Sequence, residues 1–177
     1  MMDQSVPTGR TCFLFLSPPF PFFNRCLPFG CYATAMNVAD IPFNRFLGLR
    51  LNGSVLALPA DPKYQNHIGM VHASAQFALA EAASGQWLLT KFGDAASDYL
   101  AVVRQVEVKY RRPATGELTA KAEVSPEEEQ RFRDTLERRG RAAIEVHVQV
   151  LDAEETITLE ATFEWFAQGV RRSTVPD

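Results

Sequence analysis

Apolar and polar residues alternate with a period of two along four stretches of the second half of the chain. Leu100, Val102, Val106, Val108 and Tyr110 alternate with Ala101, Val103, Gln105, Glu107 and Lys109, and Arg104 interrupts the apolar face. Leu118, Ala120, Ala122 and Val124 alternate with Thr119, Lys121 and Glu123. Ile144, Val146, Val148 and Val150 do so with Glu145, His147 and Gln149, and Ile157, Leu159, Ala161, Phe163 and Trp165 with Thr158, Glu160, Thr162 and Glu164. Such repeated alternation predicts antiparallel strands with one face on a core. A further strand is predicted around Leu49, Leu51, Val55 and Ala57, bent or interrupted at Gly53 and closed by Pro59.

Between that first strand and the other four the period changes. From about His72 to Lys91 the chain is rich in small residues, with Ala73, Ala75, Ala78, Ala80, Ala82, Ala83 and Gly85, and carries bulk at Leu79, Trp87, Leu88 and Leu89. This predicts a long helix, stopped at Gly93-Asp94, of too little polarity to lie on a surface; a sheet wrapping it would bury it. A short helix is predicted over 40–48, capped by Asp40 and ended by Gly48. Another begins at Ser125-Pro126-Glu127-Glu128, a capping box with proline at the first helical position, and ends at Gly140. Its large apolar residues, Phe132 and Leu136, lie one turn apart, so it should sit on the surface and touch the body through that pair. Five strands covering one helix make an α+β architecture.

Residues 1–35 do not share these periods. Cys12 to Phe23 is aromatic and proline-rich. Arg10 and the small residues Ala33-Thr34-Ala35 suit a signal peptide, but Pro18, Pro19, Pro21, Pro28 and Arg25 break its apolar region. The preferred expectation is a disordered leader or a non-native extension with Met36 as the natural start, a domain over 36–168, and a flexible tail over 169–177.

A length of 177 residues suits one domain, and a net charge of −3 argues against a nucleic-acid binder. No apolar run reaches the ~20 residues of a transmembrane helix, so no membrane partner is expected. Cys12, Cys26 and Cys31 are odd in number and crowd the first fifth of the chain. With no metal-ligand spacing, neither a disulfide framework nor a metal site is expected, and a cytoplasmic location is.

Within the long helix one carboxylate, Glu81, stands among alanines and leucines. Asn66 precedes His72 by six residues, and His72 precedes Glu81 by nine. These spacings, with the strand–turn–strand segment Tyr110-Arg111-Arg112-Pro113-Ala114-Thr115-Gly116-Glu117-Leu118, resemble the hotdog-fold acyl-CoA thioesterases of the phenylacetate-pathway type and related uncharacterised hotdog domains of the DUF4442 kind. The resemblance covers about Ile41 to Phe166. It implies a curved five-stranded antiparallel sheet around a central helix, with a surface helix inserted between strands. It also implies a homodimer, which two copies could extend to a tetramer, acting on a small acyl thioester with coenzyme A as part of the substrate and no other cofactor. By that resemblance Glu81 is general base or nucleophile, the Ala73 backbone N–H is the oxyanion donor, Asn66 holds the carbonyl or water, and His72 hydrogen-bonds at the helix start. Ala73-Ser74 stands where the family has two glycines, and Glu81 where Asp is commoner.

Helical spacing puts Ser74, Phe77, Glu81, Ser84 and Leu88 on one stripe, a candidate pocket wall with Ser74, Phe77 and Ser84 meeting substrate. Lys109, Arg111 and Arg112 could hold coenzyme A phosphates, and ordinary solvated charge explains them equally well. Two other readings stay open: a non-catalytic acyl-thioester or lipid binder, and a hydratase or dehydratase using His67 with Glu81.

Overall fold

The computed structural model describes residues 37–170, so the readings of the leader, its cysteines and the last seven residues lie outside the described residues. Six strands form one antiparallel sheet: β1 (Arg50–Asn52), β2 (Val55–Leu58), β3 (Tyr99–Tyr110), β4 (Leu118–Glu123), β5 (Arg141–Leu151) and β6 (Ile157–Gly169). Their order is β1-β2-β4-β5-β6-β3. Three α-helices accompany them: α1 (Pro42–Leu47), α2 (Ala73–Phe92) and α3 (Pro126–Arg139). The inner faces of the strands and α2 close one apolar core in which Leu79, Val146, Val150, Leu118, Leu159 and Phe163 are fully buried. Phe77 of α2 meets Phe163 of β6 with ring centroids 5.7 Å apart. Each such buried side chain contributes roughly 1.5–3 kcal/mol of transfer free energy, which holds helix and sheet as one unit.

The sheet has six strands rather than five because Gly53 makes a turn instead of a bend. With φ at 63° it takes a conformation open to glycine at little cost, and Asn52 pairs directly with Val55 across it. Asp40 does not cap α1. The short 3₁₀ turn Val38–Asp40 comes first, and Pro42 starts α1, where a missing N–H costs nothing. Asp40 instead pairs with Arg45 at the surface. Gly48 ends α1 in the left-handed region, as its position suggests.

Arg104 marks a β-bulge. The register of β3 against β6 shifts between Val103 and Gln105, and the Arg104 guanidinium lies 3.5 Å from the centre of the Phe166 ring. One extra residue exchanges the faces. Before the bulge Ala101 and Val103 pack on the core, whereas after it Val106 and Val108 do. Leu100 and Val102 therefore point outward, 62% and 43% exposed.

The capping box of α3 is complete. Ser125 Oγ accepts from the Glu128 N–H, and the Glu128 carboxylate accepts from the Ser125 hydroxyl at 2.7 Å and from its N–H. Phe132 and Leu136 are buried, Phe132 against Phe92 of α2. The hydroxyl and backbone donors of Ser125 hold Glu128 below its ordinary value of 4.5. A carboxyl depressed in the folded state adds stability that is complete above its unfolded value and is lost as pH falls through its folded value. We expect Glu128→Ala to lower the melting temperature at pH 7, and the gap from the parent to close as thermal scans are taken to about pH 3.

Candidate functional site

The segment leading into α2 is pinned before the helix begins. Pro62 and an Asp61 side-chain cap shape a short 3₁₀ turn that ends at Tyr64. Tyr64 is buried, its hydroxyl donates to the Leu47 carbonyl at the end of α1, and its carbonyl accepts from the His72 N–H at 2.7 Å. The Val71 N–H donates to the Ala114 carbonyl at 2.8 Å, tying this segment to the turn between β3 and β4. Asn66 closes the loop between. Its Oδ1 accepts from the N–H groups of Ile68 (3.0 Å) and Met70 (3.1 Å), and Gly69 completes the turn at φ 77°. The side-chain carbonyl of Asn66 is thus committed to the loop, and Nδ2 is the end left to meet a ligand.

His72 is the N-cap of α2. Its Nδ1 accepts from the Ser74 N–H at 3.1 Å, which places the proton of the neutral ring on Nε2. The His72 carbonyl takes the N–H groups of Ala75 and Gln76. Of the first turn, the Ala73 N–H alone lacks a partner among the described residues, at the positive end of a 20-residue helix. His72, Ala73 and Ser74 are exposed. Neither 73 nor 74 needs glycine's backbone freedom, because Glu155 is the one non-glycine residue with positive φ among the described residues. From the end of β3, the Tyr110 hydroxyl donates to the Ala73 carbonyl at 3.2 Å and fixes the helix start against the sheet.

Glu81 lies eight residues further on, about 12 Å along the axis and turned by about 80° from Ala73. It is half-buried, and its carboxylate makes no hydrogen bond or ion pair among the described residues. It opens on a groove of about 480 Å³ lined by apolar side chains that include Val38, Leu88, Leu89, Phe92 and Trp165. The structure therefore gathers Asn66, His72, Ala73 and Ser74 at one end of α2 and sets Glu81 apart in the helix middle. Within one copy of the chain, Glu81 stands about two turns of α2 away from the Ala73 N–H.

The other expected positions separate further. Phe77 is half-buried against Phe163. Ser84 is fully buried; its hydroxyl donates to the Glu81 backbone carbonyl at 2.7 Å and accepts from Trp165 Nε1 at 3.0 Å. Lys109 and Arg111 lie on the outer face of the sheet with Glu107, Lys121 and His147, opposite to α2. Arg111 is paired with Glu160 there. Arg112 is exposed just past β3, its N–H on the Thr158 carbonyl. His67 is exposed on the Asn66 loop. Among the described residues no group of three His, Cys, Asp or Glu side chains could hold a metal, and no helix is long and apolar enough to cross a membrane.

Sequence reasoning assigns no site role to Tyr110, Gly85 or Gln76. Gln76 is buried in the first turn of α2, its Nε2 donating to the Val71 carbonyl and its Oε1 without a partner among the described residues. A polar residue at an inward helical position was the available signal for it.

An antiparallel sheet wrapped on one long helix, with a pinned loop at the helix start, is the hotdog fold, and solved structures share it. The protein of unknown function PA5026 from Pseudomonas aeruginosa, described as "Probable Thioesterase", is 27% identical over 75% of this chain and 91% of its own, with a TM-score of 0.65. BH2602 from Bacillus halodurans, solved with CoA, is 20% identical over 71% of this chain and 74% of its own, TM-score 0.56. The thioesterase enzyme SAV0944 from Staphylococcus aureus is 16% identical over 71% and 98%, TM-score 0.56. Among curated proteins no relative matches. Residues 43–167 match the domain of unknown function DUF4442, and the chain belongs to that family.

Proposed function

We propose that this chain hydrolyses acyl-CoA-like thioesters in a site completed by a second copy of itself. The observation that carries the reading is that, among the described residues, the Ala73 N–H at a helix start has no partner and Glu81 stands unpaired at the mouth of an apolar groove. Thioester hydrolysis needs a donor where negative charge develops on the carbonyl oxygen and a base for the attacking water. Ala73 supplies the first, aided by Asn66 Nδ2. Glu81 of the other copy supplies the second. Glu81 takes a proton from water as the oxygen bonds to the carbonyl carbon. The C–S bond then breaks, and the same proton passes to the departing thiolate, leaving a free acid and a thiol. Direct attack by the carboxylate, through an anhydride that water then opens, uses the same two groups.

The separation of Ala73 from Glu81 along α2 supports a shared site. So does β3, a strand of twelve residues that pairs on one edge with β6 and, among the described residues, leaves its other edge unpaired. A free edge of that length is a template for a second chain, and pairing of two β3 strands about a twofold axis would bring two α2 helices side by side. The description of PA5026 as "Probable Thioesterase" and the CoA in the BH2602 structure agree with the substrate class.

The test is incubation of the purified protein with acyl-CoA esters of varied chain length while free thiol is followed. Release above the rate without protein is expected for at least one ester. Binding of the esters with no thiol released from any of them would replace the hydrolase reading with that of an acyl-thioester binder.

A further inference from the structure

Resting on the thioesterase reading, we propose that the groove beside Glu81 is the acyl subsite, that it selects thioesters of extended apolar acyl groups, and that Trp165, clamped by Ser84, with Gly85 sets its floor. The groove holds about 480 Å³, and Glu81 is the one charged side chain among its lining residues. That size lies within the ~300–1,000 Å³ usual for small-molecule pockets, and an acetyl group would leave most of it unfilled. Ile41 and Phe43 stand at its rim, 40% and 58% exposed, apolar surface that no described residue covers.

The floor is built in a specific way. Ser84 is a fully buried hydroxyl in the middle of α2, and it spends both its hydrogen bonds on fixing its surroundings. By accepting from Trp165 Nε1 it satisfies the polar end of the indole inside the protein, so the ring presents carbon to the groove. The far edge of that ring lies over Gly85, where an added Cβ would stand 3.6 Å from Cζ2 and 3.9 Å from a Val38 methyl. Glycine is disfavoured in a helix interior. Here its missing side chain keeps the floor open: alanine would fit in ordinary contact, and anything larger would press on the indole and fill the space.

The chain holds two tryptophans, so Trp87→Phe leaves Trp165 as the fluorescent reporter. Two non-hydrolysable probes, dodecyl-CoA and ethyl-CoA thioethers, are titrated into the full chain. Dodecyl-CoA should shift Trp165 emission and bind at least about tenfold more tightly than ethyl-CoA. Gly85→Leu should bring that ratio down to about one, and Phe43→Glu, at the exposed rim where folding is not at stake, should lower it as well. Equal binding of the two probes, or a ratio that neither variant moves, overturns the proposal. Emission that follows protein concentration and ignores both probes assigns the groove to a second copy and overturns it too. Parallel thiol-release assays separate the two readings: selective dodecyl-CoA binding without hydrolysis of any acyl-CoA keeps the groove and removes the hydrolase.

Discussion

Glu81→Gln should cut thiol release by about 100- to 10,000-fold while leaving the melting temperature of the protein unchanged. The amide keeps the size of the carboxylate and removes its capacity to take a proton. The fold has little to lose, because the Glu81 side chain makes no hydrogen bond or ion pair among the described residues and its position on the groove wall is set by its backbone in α2. A structural carboxylate would behave in the opposite way, with stability falling and residual activity following the folded fraction. Initial rates at saturating acyl-CoA, alongside thermal scans of the same preparations, decide between the two. Activity within a fewfold of the parent would remove Glu81 from the chemistry.

Ala73→Pro tests the other half of the site with unusual selectivity. Position 73 is the first residue of α2, where proline suits the helix and its missing N–H breaks no intrahelical bond. The residue before a proline must be extended, and His72 already is, at φ −61° and ψ 140°. The substitution therefore deletes the proposed oxyanion donor while the backbone stays as it is. A loss of about 100- to 1,000-fold in kcat is expected, the usual cost of one such donor, with unchanged circular dichroism. Ala73→Gly keeps the N–H and should retain activity. If Ala73→Pro were as active as the parent, the helix start would have no part in the reaction.

Much of this fold is legible from residue order because the signals are local and repeated. The alternation over Leu118–Val124 and again over Ile144–Val150 needs no knowledge of distant neighbours, nor does the Ser125–Glu128 capping box or the Gly48 stop. Gly53 was ambiguous for a physical reason: a glycine within an alternating run fits a bend, a bulge or a turn, and the sheet partner of β2 decides which. Arg104 shows the same limit. As an interruption it is visible, but whether a chain skips one residue there depends on the register with β6. The consequence, that Leu100 and Val102 face outward, cannot be read from parity alone.

The candidate site divides similarly. The spacing of Asn66, His72 and Glu81 is a property of the sequence. That Asn66 Oδ1 is already used, that His72 spends Nδ1 on Ser74, and that Ser84 is sealed against Trp165 are properties of packing. A helical stripe containing Ser84 and Glu81 looks like one wall, yet the sheet covers Ser84 and leaves Glu81 at the edge. Lys109 and Arg111 fall on the outer face because their strand parity, counted after the bulge, is opposite to that of Val106 and Val108.

The claim that one copy supplies Ala73 and another supplies Glu81 has a direct test in subunit mixing. Glu81→Gln and Ala73→Pro proteins, each close to inactive alone, are unfolded together in equal amounts, refolded, and assayed for thiol release. In a dimer with shared sites, each mixed pair holds one intact site of two, and random pairing should restore about one quarter of parental activity. A site contained within one chain would have a defect in every copy, and the mixture would stay as inactive as its components.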